Sequence, residues 1–76
     1  MKQTLIDIAS AIVENPEQVA VTEKVSGDTV ILELSVAKSD MGKVIGRQGR
    51  IAKEIRTIIK TVAQRDGEKV TVEIVD

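Results

Sequence analysis

The stretch from Met41 to Arg65, MGKVIGRQGRIAKEIRTIIKTVAQR, carries apolar residues at helical spacing on both sides of Gly46-Arg47-Gln48-Gly49. A glycine in a helix interior costs about 1 kcal/mol relative to alanine, so two within four residues break the helix there. The pattern predicts a short helix over Met41–Ile45, a loop, and a long helix over Arg50–Arg65. Ile51, Ile55, Ile58, Ile59 and Val62 form the expected buried stripe of the long helix, with Ala52 and Ala63 on its edge. Ser39-Asp40 stand where an N-cap of the short helix belongs, and Asp66-Gly67 stop the long one.

Around this helical pair the period changes. Val30, Leu32, Leu34 and Val36 alternate with Ile31, Glu33 and Ser35, which is the two-residue period of a half-buried strand. Val19, Val21 and Val25 precede it across Ser26-Gly27-Asp28, so the two runs read as a β-hairpin. Val70, Val72 and Ile74 make a last strand. At the start, Leu5, Ile8, Ala9, Ile12 and Val13 share a helix face opposite Asp7, Ser10 and Glu14, with Thr4 as the candidate cap and Asn15-Pro16 as the stop. The order helix, strand, strand, short helix, helix, strand gives an α+β domain with three strands and helices packed on one face. If the second and third strands lie side by side they run parallel, because helices join them.

Length and composition narrow the function. Seventy-six residues make one domain, residues 1–76, with a small core. No histidine and no cysteine is present, so a histidine triad, a thiolate metal site and a disulfide framework are all excluded, which fits a cytoplasmic setting. Neither a metal nor another cofactor is expected. No apolar run approaches the roughly 20 residues of a membrane helix, and the opening segment reads as a mature amphipathic helix and not a signal peptide. Phe, Tyr and Trp are absent, which removes the aromatic stacking used by sheet-based RNA binders.

The net charge of −1 hides an asymmetry. Seven basic residues (Lys43, Arg47, Arg50, Lys53, Arg56, Lys60 and Arg65) stand against one acid, Glu54, between Met41 and Arg65. The rest of the chain is acidic, with Glu14, Glu17, Glu23 and Glu33 read as solubility charges. The basic segment surrounds the glycine loop. First-turn amides of a helix are unpaired and favour a phosphate, and glycines admit a close backbone. Arg47 offers a forked guanidinium, and Gln48 can bond a phosphate or a base edge. The Walker and dinucleotide glycine motifs do not fit: no Lys-Ser or Lys-Thr follows the loop, and Val44 holds the place of a first glycine. No nucleophile and base pair is available, so an enzyme acting on a small-molecule substrate is not expected.

The run SDMGKVIGRQGRIAKEIRTII resembles the core of a KH domain. Val44-Ile45-Gly46-Arg47-Gln48-Gly49, then Ile51, Ile55, Ile58 and Ile59, match its Val-Ile-Gly-x-x-Gly and isoleucine-rich helix. The element order αββααβ is similar to the type II form across the whole chain, as in small stand-alone bacterial KH proteins. The resemblance implies single-stranded RNA recognition, with about four nucleotides across an apolar groove. It implies that Gly46 and Gly49 let the strand approach and that Arg47 and Gln48 touch phosphates. Lys43, Val44, Ile45 and Ile51 would line or support the groove, flanked by Arg50 and Lys53. It further implies post-transcriptional regulation or RNA-chaperone activity, and pairing with itself or with a second KH-type RNA-binding protein.

Three features keep alternatives open. Lys53, Arg56 and Lys60 share a face that reads more simply as solvated than as an RNA track, and of the three Lys53 is the expected contact. Arg65 in the last turn suits helix carbonyls. Ile31 and Val75 are apolar positions on otherwise polar strand faces and, if adjacent, would mark a dimer surface. A protein-interaction module using the same groove, and a ribosome-assembly-associated factor, are the rival functions.

Overall fold

The computed structural model describes residues 1–75; Asp76, the last residue of the expected domain, lies outside the described residues. Helix α1 (Lys2–Ile12) leads through a 3₁₀ turn at Pro16–Gln18 into β1 (Ala20–Ser26) and β2 (Thr29–Ser35). A second 3₁₀ turn at Lys38–Asp40 precedes α2 (Met41–Ile45); then come Arg47–Gly49, α3 (Arg50–Arg65) and β3 (Lys69–Val75). This is an α+β fold with the type II KH order.

The sheet order is β1-β2-β3, with β1 antiparallel and β3 parallel to β2. The parallel pairing follows from the helical connection, which returns the chain to the end of the sheet where β2 began. The register sets Val21 beside Leu34 and Leu34 beside Ile74, and Leu32 beside Val72. These rows face the helices. Leu5 and Ala9 of α1, Val13 just beyond it, Val44 of α2, and Ile55, Ile59 and Ala63 of α3 complete one buried core with Val21, Leu32, Leu34, Val36, Val70 and Val72. Each fully buried Leu or Ile contributes about 1.5–3 kcal/mol by leaving water, and with no aromatic side chain the core is aliphatic throughout.

The structure corrects four local expectations. Helix α1 begins at Lys2, with Met1 at its N-cap, so Thr4 lies inside the helix and does not cap it. The buried stripe of α3 is Ala52, Ile55, Ile59 and Ala63. The alanines are therefore at its centre, Ile51 and Val62 are half-buried, and Ile58 is 46 % exposed. The small alanines let α3 lie close to the sheet, and that rotation carries Ile58 outward. Ile31 opposes Thr71 while Val75 opposes Ser35, and the Glu33–Glu73 row lies between them, so Ile31 and Val75 form no common apolar patch. Finally, Asp40 precedes α2 but makes no capping bond to it; its carboxylate turns toward the end of α1.

Candidate nucleic-acid interface

Helix α2 has only five residues, too few to persist alone. Three attachments hold it. Val44 is fully buried in the core. Gly46 N–H donates to Gly42 O at 2.8 Å and closes the last turn. At the other end Asp40, with no exposed surface, accepts from Glu14 N–H (3.1 Å), Asn15 N–H (3.0 Å) and Asn15 Nδ2 (3.0 Å). Burial pushes the Asp40 carboxyl up, but the Glu14 amide, the side chain and amide of Asn15, and the Lys43 charge together hold it below its ordinary value.

The loop that follows owes its shape to three residues with positive φ. Gly46 (φ 74°, ψ 176°) occupies a region nearly closed to other residues. Gln48 (φ 57°, ψ 27°) and Gly49 (φ 75°, ψ 13°) are left-handed in succession. The two glycines have different surroundings. A Cβ on Gly46 would sit 2.8 Å from Ile51 Cβ and 2.9 Å from Ile51 N, whereas one on Gly49 would meet open space. Gly46 thus makes room for the protein's own Ile51, and Gly49 leaves the outer surface of the loop bare.

The amides divide likewise. Gly49 N–H donates to Gly46 O (3.2 Å) and Arg50 N–H to Arg47 O. Among the described residues, no backbone acceptor takes the Arg47 or Gln48 amide, and both residues are exposed. A right-handed residue followed by a left-handed one turns successive N–H groups toward a common point, an arrangement that suits an anion. It stands at the N-terminus of the sixteen-residue α3, whose dipole adds positive potential.

Arg47, Gln48, Arg50 and Lys53 are all exposed on the loop and the first turn of α3. Ile45 is 38 % exposed beside the loop, Ile51 is half-buried, and Val44 supports from within. Lys43 stands apart: its ammonium lies 3.5 Å from Glu14 and 3.7 Å from Asp40, directed toward the end of α1. Glu14, read from sequence as a solubility charge, has this partner.

The fold adds residues that the sequence reading set aside. Arg56 Nε donates to Val72 O at 3.1 Å, tying α3 to the outer edge of β3. Lys53, Arg56, Thr57 and Lys60 line one wall of a groove whose other wall is Val70, Thr71 and Val72. A second hollow, on the outer side of α3, is lined by Arg50, Lys53, Glu54, Thr57 and Ile58. The basic face is thus half of a groove and not merely a solvated surface. Its only sequence signal was the recurrence of cations at helical spacing; which strand would lie alongside is a tertiary fact. No helix among the described residues is long and apolar enough to cross a membrane.

Comparison with known proteins places the chain in a family. An RNA-binding protein KhpA from Clostridium acetobutylicum is 53 % identical over 75 residues, covering 99 % of this chain and all of the relative. Proteins of the same name from Chlamydia trachomatis and Listeria monocytogenes are 46 % and 40 % identical, each over all of this chain and 97 % and 100 % of the relative. Among solved structures, Aquifex aeolicus Era bound to GDP and AlF4⁻ superposes with a TM-score of 0.64 at 22 % identity, and Era in complex with MgGDPNP and nucleotides 1506–1542 of 16S ribosomal RNA with 0.62 at 19 %. Each match covers 96 % of this chain but spans only 28 % of the Era chain, and at such identity it speaks for the fold alone. The family profile described as KhpA/KhpB, KH domain, matches residues 2–74, and with that span and these full-length relatives the chain belongs to the KhpA/KhpB KH-domain family.

Proposed function

We propose that this protein is a non-catalytic binder of single-stranded RNA, acting as one KH unit. The sugar–phosphate chain runs against the Gly46–Gly49 loop, and the bases lie along the α3–β3 groove. The observation that carries this reading is the pair of exposed residues Arg47 and Gln48, whose amides have no backbone acceptor among the described residues, at the head of a helix lined with Arg50, Lys53, Arg56 and Lys60. Arg47 meets phosphate through its guanidinium and Gln48 through its side-chain amide. Gly49 keeps the approach open, Ile45 and Ile51 supply apolar surface, and Val44 holds the loop's base. The relatives named as RNA-binding proteins support the same substrate class. Single-domain sites read few nucleotides, so pairing with itself or with a second KH protein raises avidity by linking two weak sites. Such a protein serves post-transcriptional regulation in the cytoplasm. The test is the double substitution Arg47→Asp with Gln48→Asp: it should leave the fold intact and abolish a gel shift with randomised single-stranded RNA. Unchanged binding would show that the strand lies elsewhere.

A second reading is favoured by Ile45 and Ile58, which are 38 % and 46 % exposed: the apolar surface they offer, with Ile58 in the outer hollow of α3, holds a protein partner or a twin. Salt separates the two. Phosphate contacts release counterions and weaken steeply as salt rises, while an apolar contact does not. A role in ribosome assembly is a special case of RNA binding, distinguished by co-sedimentation with a ribosomal subunit.

A further inference from the structure

The one fully buried charged side chain among the described residues, Asp40, lies outside the loop, and its polar partners Glu14, Asn15 and Lys43 lie outside it too. Its bonds instead cross the chain over 25 and 26 positions, to Asn15 and Glu14. Both carboxylate oxygens are used: Oδ1 takes the Glu14 amide, and Oδ2 takes the Asn15 amide and Nδ2. A buried carboxylate with all its partners in place is rigid, since losing any one leaves a charge unsatisfied.

Its location gives this rigidity a use. Asp40 is the residue before α2, and α2 ends at Gly46, the first residue of the loop. A five-residue helix acts as a short lever. Val44, buried in the core, and the half-buried Met41 hold one side of it, which still leaves a tilt. The clamp to Glu14 and Asn15 fixes the far end and removes that tilt. It also draws Lys43 to the α1 side, away from the loop. The Asp40 side chain makes no capping bond to α2; besides its ion pair with Lys43, its geometry shows support of the helix from across the chain.

We infer that Asp40 is a positioning residue for the Gly46–Gly49 loop: by anchoring the start of α2 to the end of α1, it sets the direction in which the Arg47 and Gln48 amides are presented to RNA. This rests on the RNA-binding reading above. A well-held supporting shell is what separates a functional site from a loose one.

The test uses Asp40→Asn, which keeps the shape but sets an NH₂ group against amide donors. Asn15→Ala is the gentler variant, removing one bond of three, and Ile59→Val is a control that loosens the core without touching the clamp or the groove. In ¹⁵N NMR spectra of the free protein, the Arg47 and Gln48 amides should shift in Asp40→Asn, shift less and in the same direction in Asn15→Ala, and stay in place in Ile59→Val. Binding of fluorescent randomised single-stranded RNA should weaken about tenfold in Asp40→Asn and be little changed in Ile59→Val. If Asp40→Asn does not fold, Asn15→Ala carries the test through the same two amides. Loop amides that do not move, or folded Asp40→Asn that binds like the parent while the loop double-aspartate variant has lost binding, would overturn the positioning role alone. A double-aspartate variant that binds normally would overturn the RNA reading and this inference with it.

Discussion

Ile51 packs directly over the α-carbon of Gly46: a Cβ built there would lie 2.8 Å from Ile51 Cβ and 2.9 Å from its backbone nitrogen. The glycine that begins the loop is therefore required by the protein's own packing, before any ligand is considered. Gly46→Ala must both overlap Ile51 and hold φ near 74° with an extended ψ. The backbone conformation alone costs about 1–3 kcal/mol. Gly49→Ala meets no neighbour and bears only the left-handed penalty, about 1–2 kcal/mol. Urea denaturation should rank Gly46→Ala as the more damaging; equal midpoints would mean that Ile51 moves aside freely.

Gln48 is the one described non-glycine residue with positive φ. Gln48→Gly relieves that conformation and adds chain entropy to the unfolded state, so stability should stay within about 1 kcal/mol of the parent. Gln48→Val, branched at Cβ, should lose about 1–2 kcal/mol. A thermal melt that finds Gln48→Val harmless would show that the loop does not keep this geometry in solution.

The rotation of α3 is tested by two isoleucines three positions apart. Ile55 is buried and Ile58 is not. Ile55→Ala should cost about 2–5 kcal/mol, enough to unfold much of so small a domain. Ile58→Ser should change stability by no more than about 0.5 kcal/mol. Circular dichroism under urea reads both, and comparable losses at the two positions would restore the stripe expected from periodicity.

Arg56 crosses from α3 to the β3 edge through its bond to Val72 O. If RNA lies in that groove, Arg56→Ala should weaken binding and reduce the slope of log affinity against log salt by about one contact. Arg65→Ala, at the far end of the helix, should leave that slope alone. Fluorescence anisotropy across a salt series decides it; matched slopes for both variants would remove the groove from the RNA path.

Acid should unfold the protein partly through Asp40. Its carboxyl is held below the ordinary value of 3.8 in the folded state. A lowered carboxyl stabilises the fold in its ionised form. That stability is fully present above 3.8 and drains away as pH falls through the lower folded value. Asp28 is lowered in the same sense by its bond to Lys69, but it is exposed and screened, so its share is small. Melting temperatures between pH 7 and pH 2 should fall at the acid end for the parent and for Asp28→Asn alike. Asp40→Asn should begin lower and fall less.

Much of this was legible in the sequence because the relevant signals are local. The alternation of Val30, Leu32, Leu34 and Val36 fixed a strand and its inward face, and Gly46 and Gly49 marked a break between helices. The loop residues Arg47 and Gln48 stood out for the same reason. What escaped depends on distant partners. Asp40 looked like a helix cap because it precedes α2, yet its carboxylate is claimed by amides 25 and 26 residues away. Arg56 looked solvated until β3 ran beside it. The Ile58 misplacement has a different origin: apolar periodicity treats every isoleucine as equal, whereas close approach to the sheet favoured the small Ala52 and Ala63 at the centre of the contact.

The central claim, that bare amides of the loop receive the RNA backbone, is read most directly by ¹⁵N NMR titration with a short single-stranded RNA of randomised sequence. The account predicts the largest displacements at the amides of Arg47, Gln48 and Gly49, with a weaker set at Arg56, Thr57 and Val72, all fading as salt rises. Displacements confined to the neighbourhood of Ile58, or insensitive to salt, would contradict it.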